Sequence, residues 1–185
     1  MTGVLLAGGR STRMGRDKAA LTFWGRPLAR WTADVLELVC DEVLVASGDG
    51  TRLEWLGLTQ VADAVPDAGP LGGILAGLEH ASHELVAVVA GDMPFASVDV
   101  FGLLAGSWTG EDAVVPRTDR GLEPLHAIYA KAAAQPLRVA LTEGRLAMHE
   151  ALRSLHIREL EEREWRAVDP SGRFAFNVNR PEDLR

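Results

Sequence analysis

The sequence predicts a doubly wound α/β fold, a mostly parallel sheet with helices on both faces. Two observations carry the prediction. Val4-Leu5-Leu6-Ala7, Val43-Leu44-Val45-Ala46 and Leu85-Val86-Ala87-Val88-Val89-Ala90 are short, unbroken apolar runs. Strands covered on one face alternate, whereas strands covered on both read as continuous hydrophobic runs. Between the first two runs, Leu28, Trp31, Val35, Leu36 and Val39 recur at helical spacing, with Asp34 and Glu37 on the opposite side. Strand, helix, strand is a right-handed crossover and the start of a parallel sheet. At 185 residues the chain is expected to form one domain, residues 1–185, with a sizeable core.

Gly25-Arg26-Pro27 supplies the entry turn of the first helix, and Gly48-Asp49-Gly50 ends the second strand. Gln60 to Ala62 is a weaker third strand. The turn-rich stretch Asp63 to Pro70 delivers a helix starting near Leu71, with Ile74, Leu75 and Leu78 inward. Gly72, Gly73 and Gly77 each cost a helix interior about 1 kcal/mol against alanine, so a ligand or another backbone should approach closely there. Leu85 to Ala90 is the central strand, with Asp92 just past its end. Ala113-Val114-Val115 and Leu125 to Tyr129 are further strands. Residues 132–155 read as helix in two pieces, interrupted at Pro136 and Gly144. The charged stretch Ile157 to Val168 reads as a peripheral strand or surface connection. Phe174-Ala175-Phe176 reads as a short strand, and Pro181-Glu182-Asp183 as the first turn of a helix. The five tryptophans read as packing, with no cage or stacking ladder.

The formal net charge of -7 and the lack of a long basic stripe argue against nucleic acid as a partner. No apolar stretch approaches a membrane span. Met1-Thr2 leads straight into the first strand without a charged leader, and the single cysteine, Cys40, rules out an internal disulfide and reads as core filler. A reducing cytoplasm is the expected compartment.

Against this acidic background Arg10, Arg13, Arg16 and Lys18 crowd into nine residues with one acid, Asp17, directly after Gly8-Gly9. Glycines let a backbone approach an anion closely, and a loop of exposed N–H groups forms a concave anion site. A triphosphate cradle fits this composition, as would a solvated basic turn. The loop matches neither G-x-x-x-x-G-K-[ST] nor G-x-G-x-x-G, so it is neither a P-loop nor a dinucleotide fingerprint. Ligands of open α/β sheets collect beyond the carboxyl ends of the strands, which would set Asp92 across from Gly8.

The loop Leu6-Ala7-Gly8-Gly9-x-Ser11-x-Arg13-Met14-Gly15-x-Asp17-Lys18 resembles the signature of nucleotidyltransferases related to sugar-nucleotide pyrophosphorylases, and within them it is similar to the molybdenum cofactor guanylyltransferases. Gly69 to Ile74, Gly91-Asp92-Met93-Pro94-Phe95, Pro124 to Tyr129 and Asn177 to Leu184 follow in that family's order and span nearly the whole chain. The resemblance implies a Rossmann-like three-layer α/β/α domain that transfers GMP from GTP to the terminal phosphate of molybdopterin and releases pyrophosphate.

On that reaction the nucleophile is a phosphate monoester, largely dianionic at neutral pH because its second pKa is about 6, so no general base is required. Charge must be neutralised between two polyanions. The resemblance assigns Leu6, Ala7, Gly8 and Gly9, with Arg13 and Lys18, to the triphosphate. It assigns Asp92 to the nucleotide and a magnesium ion, makes Arg13, Lys18 and Asp92 the catalytic groups, and assigns Asp63 to the nucleotide or metal side and Asn177 and Asn179 to the pterin. Turn or cap duty is the other role open to the two asparagines. Transient contact with proteins that deliver the cofactor, or with molybdoenzymes, is implied as well. At Ala46-Ser47 the chain departs from relatives that carry an asparagine near the nucleotide.

Two alternatives of other kinds remain at this point. One is a related transferase moving CMP to molybdopterin or a nucleotide to a sugar phosphate; Leu6-Ala7-Gly8-Gly9 favours the guanylyl type over the L-A-A-G typical of cytidylyl relatives. The other is a cofactor carrier without catalysis, against which Lys18 and Asp92 argue. His126 reads as structural. His80 and His83 lack a third ligand for zinc, and His149-Glu150 lacks the second histidine of a zinc-protease motif.

Overall fold

The structure is a computed structural model that describes residues 1–8 and 18–184. Strand β1 (Thr2–Leu6) is buried at every position, as an unbroken apolar run requires. A small hairpin follows, β2 (Thr22–Phe23) and β3 (Arg26–Pro27), then helix α1 (Leu28–Val39), β4 (Glu42–Ala46) and the edge strand β5 (Thr59–Val61). Helix α2 (Pro70–His80) leads to β6 (Leu85–Ala90), α3 (Val98–Gly106), β7 (Ala113–Thr118), β8 (Gly121–Leu122) and β9 (His126–Ala130). The chain ends with α4 (Ala134–Thr142), α5 (Met148–Ala151), β10 (Ile157–Leu160) and α6 (Glu162–Trp165).

The main sheet runs β10-β7-β9-β6-β1-β4-β5, with β8 on β7. Strands β4, β5 and β6 join β1 in a parallel set. Strand β9 is antiparallel to both of its neighbours, β6 and β7, and β10 returns parallel to β7. Side chains alternate across the sheet. Val4 and Leu6 enter a core shared with α2, α4 and α5, whereas Leu5 and Ala7 enter one shared with α1 and α3. The three layers are those of a doubly wound fold.

The α2 glycines are explained by the sheet, not by a ligand. A Cβ on Gly77 would sit 2.5 Å from Val4 Cγ2, and one on Gly73 would sit 3.0 Å from Leu6 Cδ2. At Gly72 the neighbour is backbone, with the Val65 carbonyl 2.9 Å from the added carbon. Their absence of side chains lets α2 lie directly on β1.

Three further expectations are corrected. Phe174-Ala175-Phe176 is no strand: Arg173–Ala175 is a 3₁₀ turn entered from Gly172 in the left-handed region, and Phe174 is buried by packing against His126 and Trp165. Pro136 does not interrupt its helix, because it lies in the first turn of α4, where a proline removes no intrahelical bond. Gly144, at φ 79°, makes the break. Pro181–Leu184 is a 3₁₀ turn.

Two of the five tryptophans, Trp24 and Trp31, belong to a stacked ring cluster that the sequence did not announce. Trp24 stacks on Phe23 at 4.7 Å, Trp31 and Phe95 meet both rings at steep angles, and Phe95 continues to Phe176 at 5.8 Å. This five-ring cluster crowns the hairpin, whose turn places Trp24 and Gly25 at φ 47° and 79°. Among the described residues no helix is long and apolar enough to cross a membrane.

Candidate nucleotidyl-transfer site

Parallel pairing of β1 with β6, Leu6 against Ala90, puts Gly8 and Asp92 beyond the same edge of the sheet. The Gly91 N–H donates to the Leu6 carbonyl at 2.8 Å, and the Ala7 N–H donates to the Ala46 carbonyl at 2.9 Å. The Ala7 amide is therefore spent on the sheet, and the Arg52 guanidinium donates to the Ala7 carbonyl from the other side. Gly8 is exposed at the mouth of the loop. Gly9 and Arg13, both expected at the phosphates, lie outside the described residues.

Asp63 reaches this mouth from beyond β5. Its Oδ2 lies 3.2 Å from where a Gly8 Cβ would stand, so the glycine is needed for the carboxylate to approach. Burial raises the Asp63 pKa from its ordinary value, while the Gly48 N–H and Arg52 oppose the rise. Among the described residues its Oδ1 is buried without a hydrogen-bond partner. A desolvated carboxylate with an unused lone pair is costly until a donor or cation meets it, which marks it as a ligand-side group.

Lys18, at the start of a 3₁₀ turn, donates to Asp92 Oδ2 at 2.5 Å and to Asn179 Oδ1 at 3.3 Å. The Lys18 and Asp92 side chains are 23% and 24% exposed, open enough to exchange partners when a ligand arrives. The Val178 N–H donates to the Asp92 carbonyl at 2.9 Å, which fastens the asparagine segment to the same corner. Asp183 Oδ2 accepts from the backbone N–H groups of Asn179 and Arg180, so the cap at this turn is Asp183 and the Asn179 side chain is free to face Lys18. Asn177 is half-buried beside it. The fold thus gathers Leu6, Ala7, Gly8 and Asp63 on one flank, and Lys18, Asp92, Asn177 and Asn179 on the other.

Magnesium fits this donor set in one form only. Among the described residues no three carboxylate, histidine or cysteine groups gather into a metal cage. A single carboxylate opposite a phosphate loop suits a magnesium held mainly by substrate phosphates and water.

Sequence reasoning missed two groups. Arg52, 45 residues away from Ala7 in sequence, braces the loop through a backbone carbonyl that no motif encodes. Glu123 sits in the Glu123-Pro124-Leu125-His126 segment, and burial pushes its carboxyl up to about 7. The other titratable candidates are structural. His126 is fully buried, stacks on Phe101 at 4.0 Å and accepts from the Ser97 N–H, and burial pushes it down to about 3. Burial raises the Cys40 thiol to about 12, far from nucleophilic.

A glycine at the end of one parallel strand, with a lysine facing an acid beyond the next, suits nucleotidyl transfer, and the comparison with known sequences gives the class. The sequence matches the MobA-like NTP transferase domain over residues 3–160, and the chain belongs to that family. It is similar, at 34% identity over the full chain and 92% of the relative, to a probable molybdenum cofactor guanylyltransferase of Chloroflexus aggregans. The molybdenum cofactor guanylyltransferase of Desulfosudis oleivorans is also 34% identical, with the same coverage. Among solved structures, the molybdopterin-guanine dinucleotide biosynthesis protein A of Archaeoglobus fulgidus superposes with a TM-score of 0.87 at 29% identity, covering 100% of this chain and 95% of that one. A Thermus thermophilus 2-C-methyl-D-erythritol 4-phosphate cytidylyltransferase, 21% identical with a TM-score of 0.70 over 98% and 94% of the two chains, shares the fold.

Proposed function

We propose that this protein transfers GMP from GTP to the terminal phosphate of molybdopterin and releases pyrophosphate. The observation that carries the reading is the Lys18–Asp92–Asn179 cluster, hydrogen-bonded together at the strand edge that Gly8 and Asp63 also face. The names of the relatives support guanine and molybdopterin as the two substrates.

The acceptor phosphate supplies its own anionic nucleophile, which attacks the α-phosphorus of GTP as the bond to the β-phosphate oxygen breaks. The electron pair leaves with pyrophosphate. Lys18 exchanges Asp92 for the phosphates and neutralises charge on the leaving group, with Arg13 as a second cation. Asp92 would hold magnesium, which when bound supplies charge neutralisation between the two polyanions. Gly8 and Gly9 admit the triphosphate, and Asp63 meets the nucleotide with its unpartnered oxygen. Asn179 and Asn177 border the acceptor. Cofactor-delivering proteins and molybdoenzymes are the natural transient partners, in the cytoplasm where GTP is available.

Purified protein incubated with molybdenum-loaded molybdopterin, magnesium and each nucleoside triphosphate tests the assignment. GTP consumption with stoichiometric pyrophosphate release is expected. CTP outcompeting GTP would replace the guanylyl assignment with a cytidylyl one.

A further inference from the structure

A second polar cavity opens at the same sheet edge, on the β7–β10 flank. Antiparallel pairing of β9 with β6 sets His126 against Val89, and the Ala90 N–H donates to the Leu125 carbonyl at 2.9 Å. Leu125 is therefore fastened to the strand end that leads to Asp92, two residues after Glu123. The cavity has a volume of about 290 Å³, and Arg120, Glu123, Trp165, Arg166 and Ser171 are among its lining residues. Small-molecule sites run from roughly 300 to 1,000 Å³, so this one suits a single heterocycle better than a whole nucleotide.

Most of its polar groups are already committed. Arg166 donates to Glu162 at 2.5 Å and to the Pro170 carbonyl at 2.8 Å, while its guanidinium lies over Trp165. The Ser171 hydroxyl donates to Asp169, and the Thr118 hydroxyl to the Gly121 carbonyl. Asp119, Arg120 and Glu123 are different. Among the described residues none of the three enters an ion pair; Asp119 is exposed at the β7–β8 turn, and the Glu123 carboxylate accepts the Leu125 N–H. Glu123, half-buried, and Arg120, exposed at the rim, both line the cavity, so a carboxylate with acceptor capacity to spare and an unengaged guanidinium face the same space.

We propose that Glu123 and Arg120 form a subsite for a 2-amino-4-oxopyrimidine edge, and that its occupant is the pterin of the acceptor. Such an edge presents two adjacent N–H donors, which a carboxylate accepts side by side, next to a carbonyl that a guanidinium meets. Guanine displays the same edge, so chemistry alone names two sources. Position favours the pterin: Gly8 and Asp63 lie on the β1–β4–β5 half of the sheet, whereas this cavity lies on the β9–β7–β10 half, with Asp92 between them. The inference rests on the proposed guanylyl transfer for the identity of the acceptor.

The test compares wild type, Glu123→Gln and Arg120→Ala in two measurements. In steady-state transfer, each variant is expected to raise the acceptor KM about 10- to 100-fold, the loss of a charge-assisted contact, with the GTP KM unchanged. A raised GTP KM with an unchanged acceptor KM would mean that guanine is read here, and would overturn the proposal. Unchanged constants for both would overturn it too. Calorimetric titration with neopterin monophosphate, without GTP, provides the second measurement. Binding by wild type that weakens at least tenfold in Glu123→Gln supports the subsite even if no guanylyl transfer is found; equal binding, or none by wild type, overturns it. Circular dichroism melting of each variant separates lost contact from lost fold.

Discussion

Lys18 and Asp92 hold one another at 2.5 Å in a corner that is a quarter open to water. An exposed or half-exposed ion pair stabilises a fold by little, typically below about 1 kcal/mol. A role in stability alone does not account for placing both groups at the strand edge. A lysine that bonds the leaving pyrophosphate more strongly than ground-state GTP acts mainly on turnover. A charge-assisted contact is worth roughly 1.5–3 kcal/mol, so Lys18→Ala should lower kcat by about one to two decades with a modest rise in GTP KM. Unchanged kcat with a lowered melting temperature would make Lys18 a structural residue. Glu123 carries a separate prediction. Its carboxyl titrates near 7 in the fold, against an ordinary value of 4.5, because burial disfavours its charge. Between those two values the native state keeps a proton that the unfolded chain gives up, so stability is greatest below 4.5 and falls as pH rises through about 7. Asp92 deepens this loss, and the Leu125 N–H and Arg120 limit it. Glu123→Gln removes the charge. It should melt with wild type at pH 4 and several degrees above it at pH 8, and a constant difference across that range would contradict the burial argument.

Helix α2 shows how an element is chosen by what it rests on. Glycines at 72, 73 and 77 weaken the helix locally; close contact with β1 offsets that cost at Gly73 and Gly77, and the approach of the Val65 carbonyl does so at Gly72. Gly77→Ala would drive a methyl into Val4, a fully buried strand residue, and overpacking of this kind costs about 1–3 kcal/mol. Gly102 in α3 is the contrast: a Cβ there meets nothing within 4 Å, so Gly102→Ala should stabilise by about 0.5–1 kcal/mol. Opposite signs in paired thermal melts are expected, and equal shifts would remove the packing explanation. The same element shows what is legible in a sequence. Apolar runs such as Val4–Ala7 and Leu85–Ala90 announce strands because burial on both faces leaves no other pattern. Three glycines announce a close approach without saying to what. Strand direction is less legible still, since β9 is buried at every position as β1 is and yet runs antiparallel to both of its neighbours. Phe174 reads as strand because an apolar residue looks alike whether sheet pairing or ring stacking buries it. Trp24 occupies a turn position with positive φ that asparagine or glycine usually fills, so no turn rule anticipates the ring cluster built on it. Of the site, Lys18, Asp92 and Asn179 were legible through their motifs, whereas Arg52 and Glu123 act through backbone contact and burial that only the folded chain displays.

For the whole molecule, the candidate groups among the described residues lie along one edge of a single sheet whose central strands are covered on both faces. A ligand seated there bridges elements far apart in sequence: the β1 loop, the Asp63 turn beyond β5, the Asp92 corner after β6 and the Asn177–Asn179 segment. Such a ligand binds the native state and not the unfolded chain, so it must raise the melting temperature by mass action. At a concentration 100 times its dissociation constant the gain is about 2.7 kcal/mol, and at this chain length each kcal/mol moves the midpoint by about 2–4 °C. GTP with magnesium should therefore raise the midpoint by about 5–10 °C. Chelating the metal should remove much of the shift, because Asp92 would then face the triphosphate without an intervening cation. CTP at the same concentration should shift it less, since both nucleotides share the triphosphate and only the base differs. Asp92→Asn should respond nearly alike to GTP with and without magnesium. Equal shifts from GTP and CTP would show that the base is not read, and a magnesium response retained in Asp92→Asn would move the metal to another ligand.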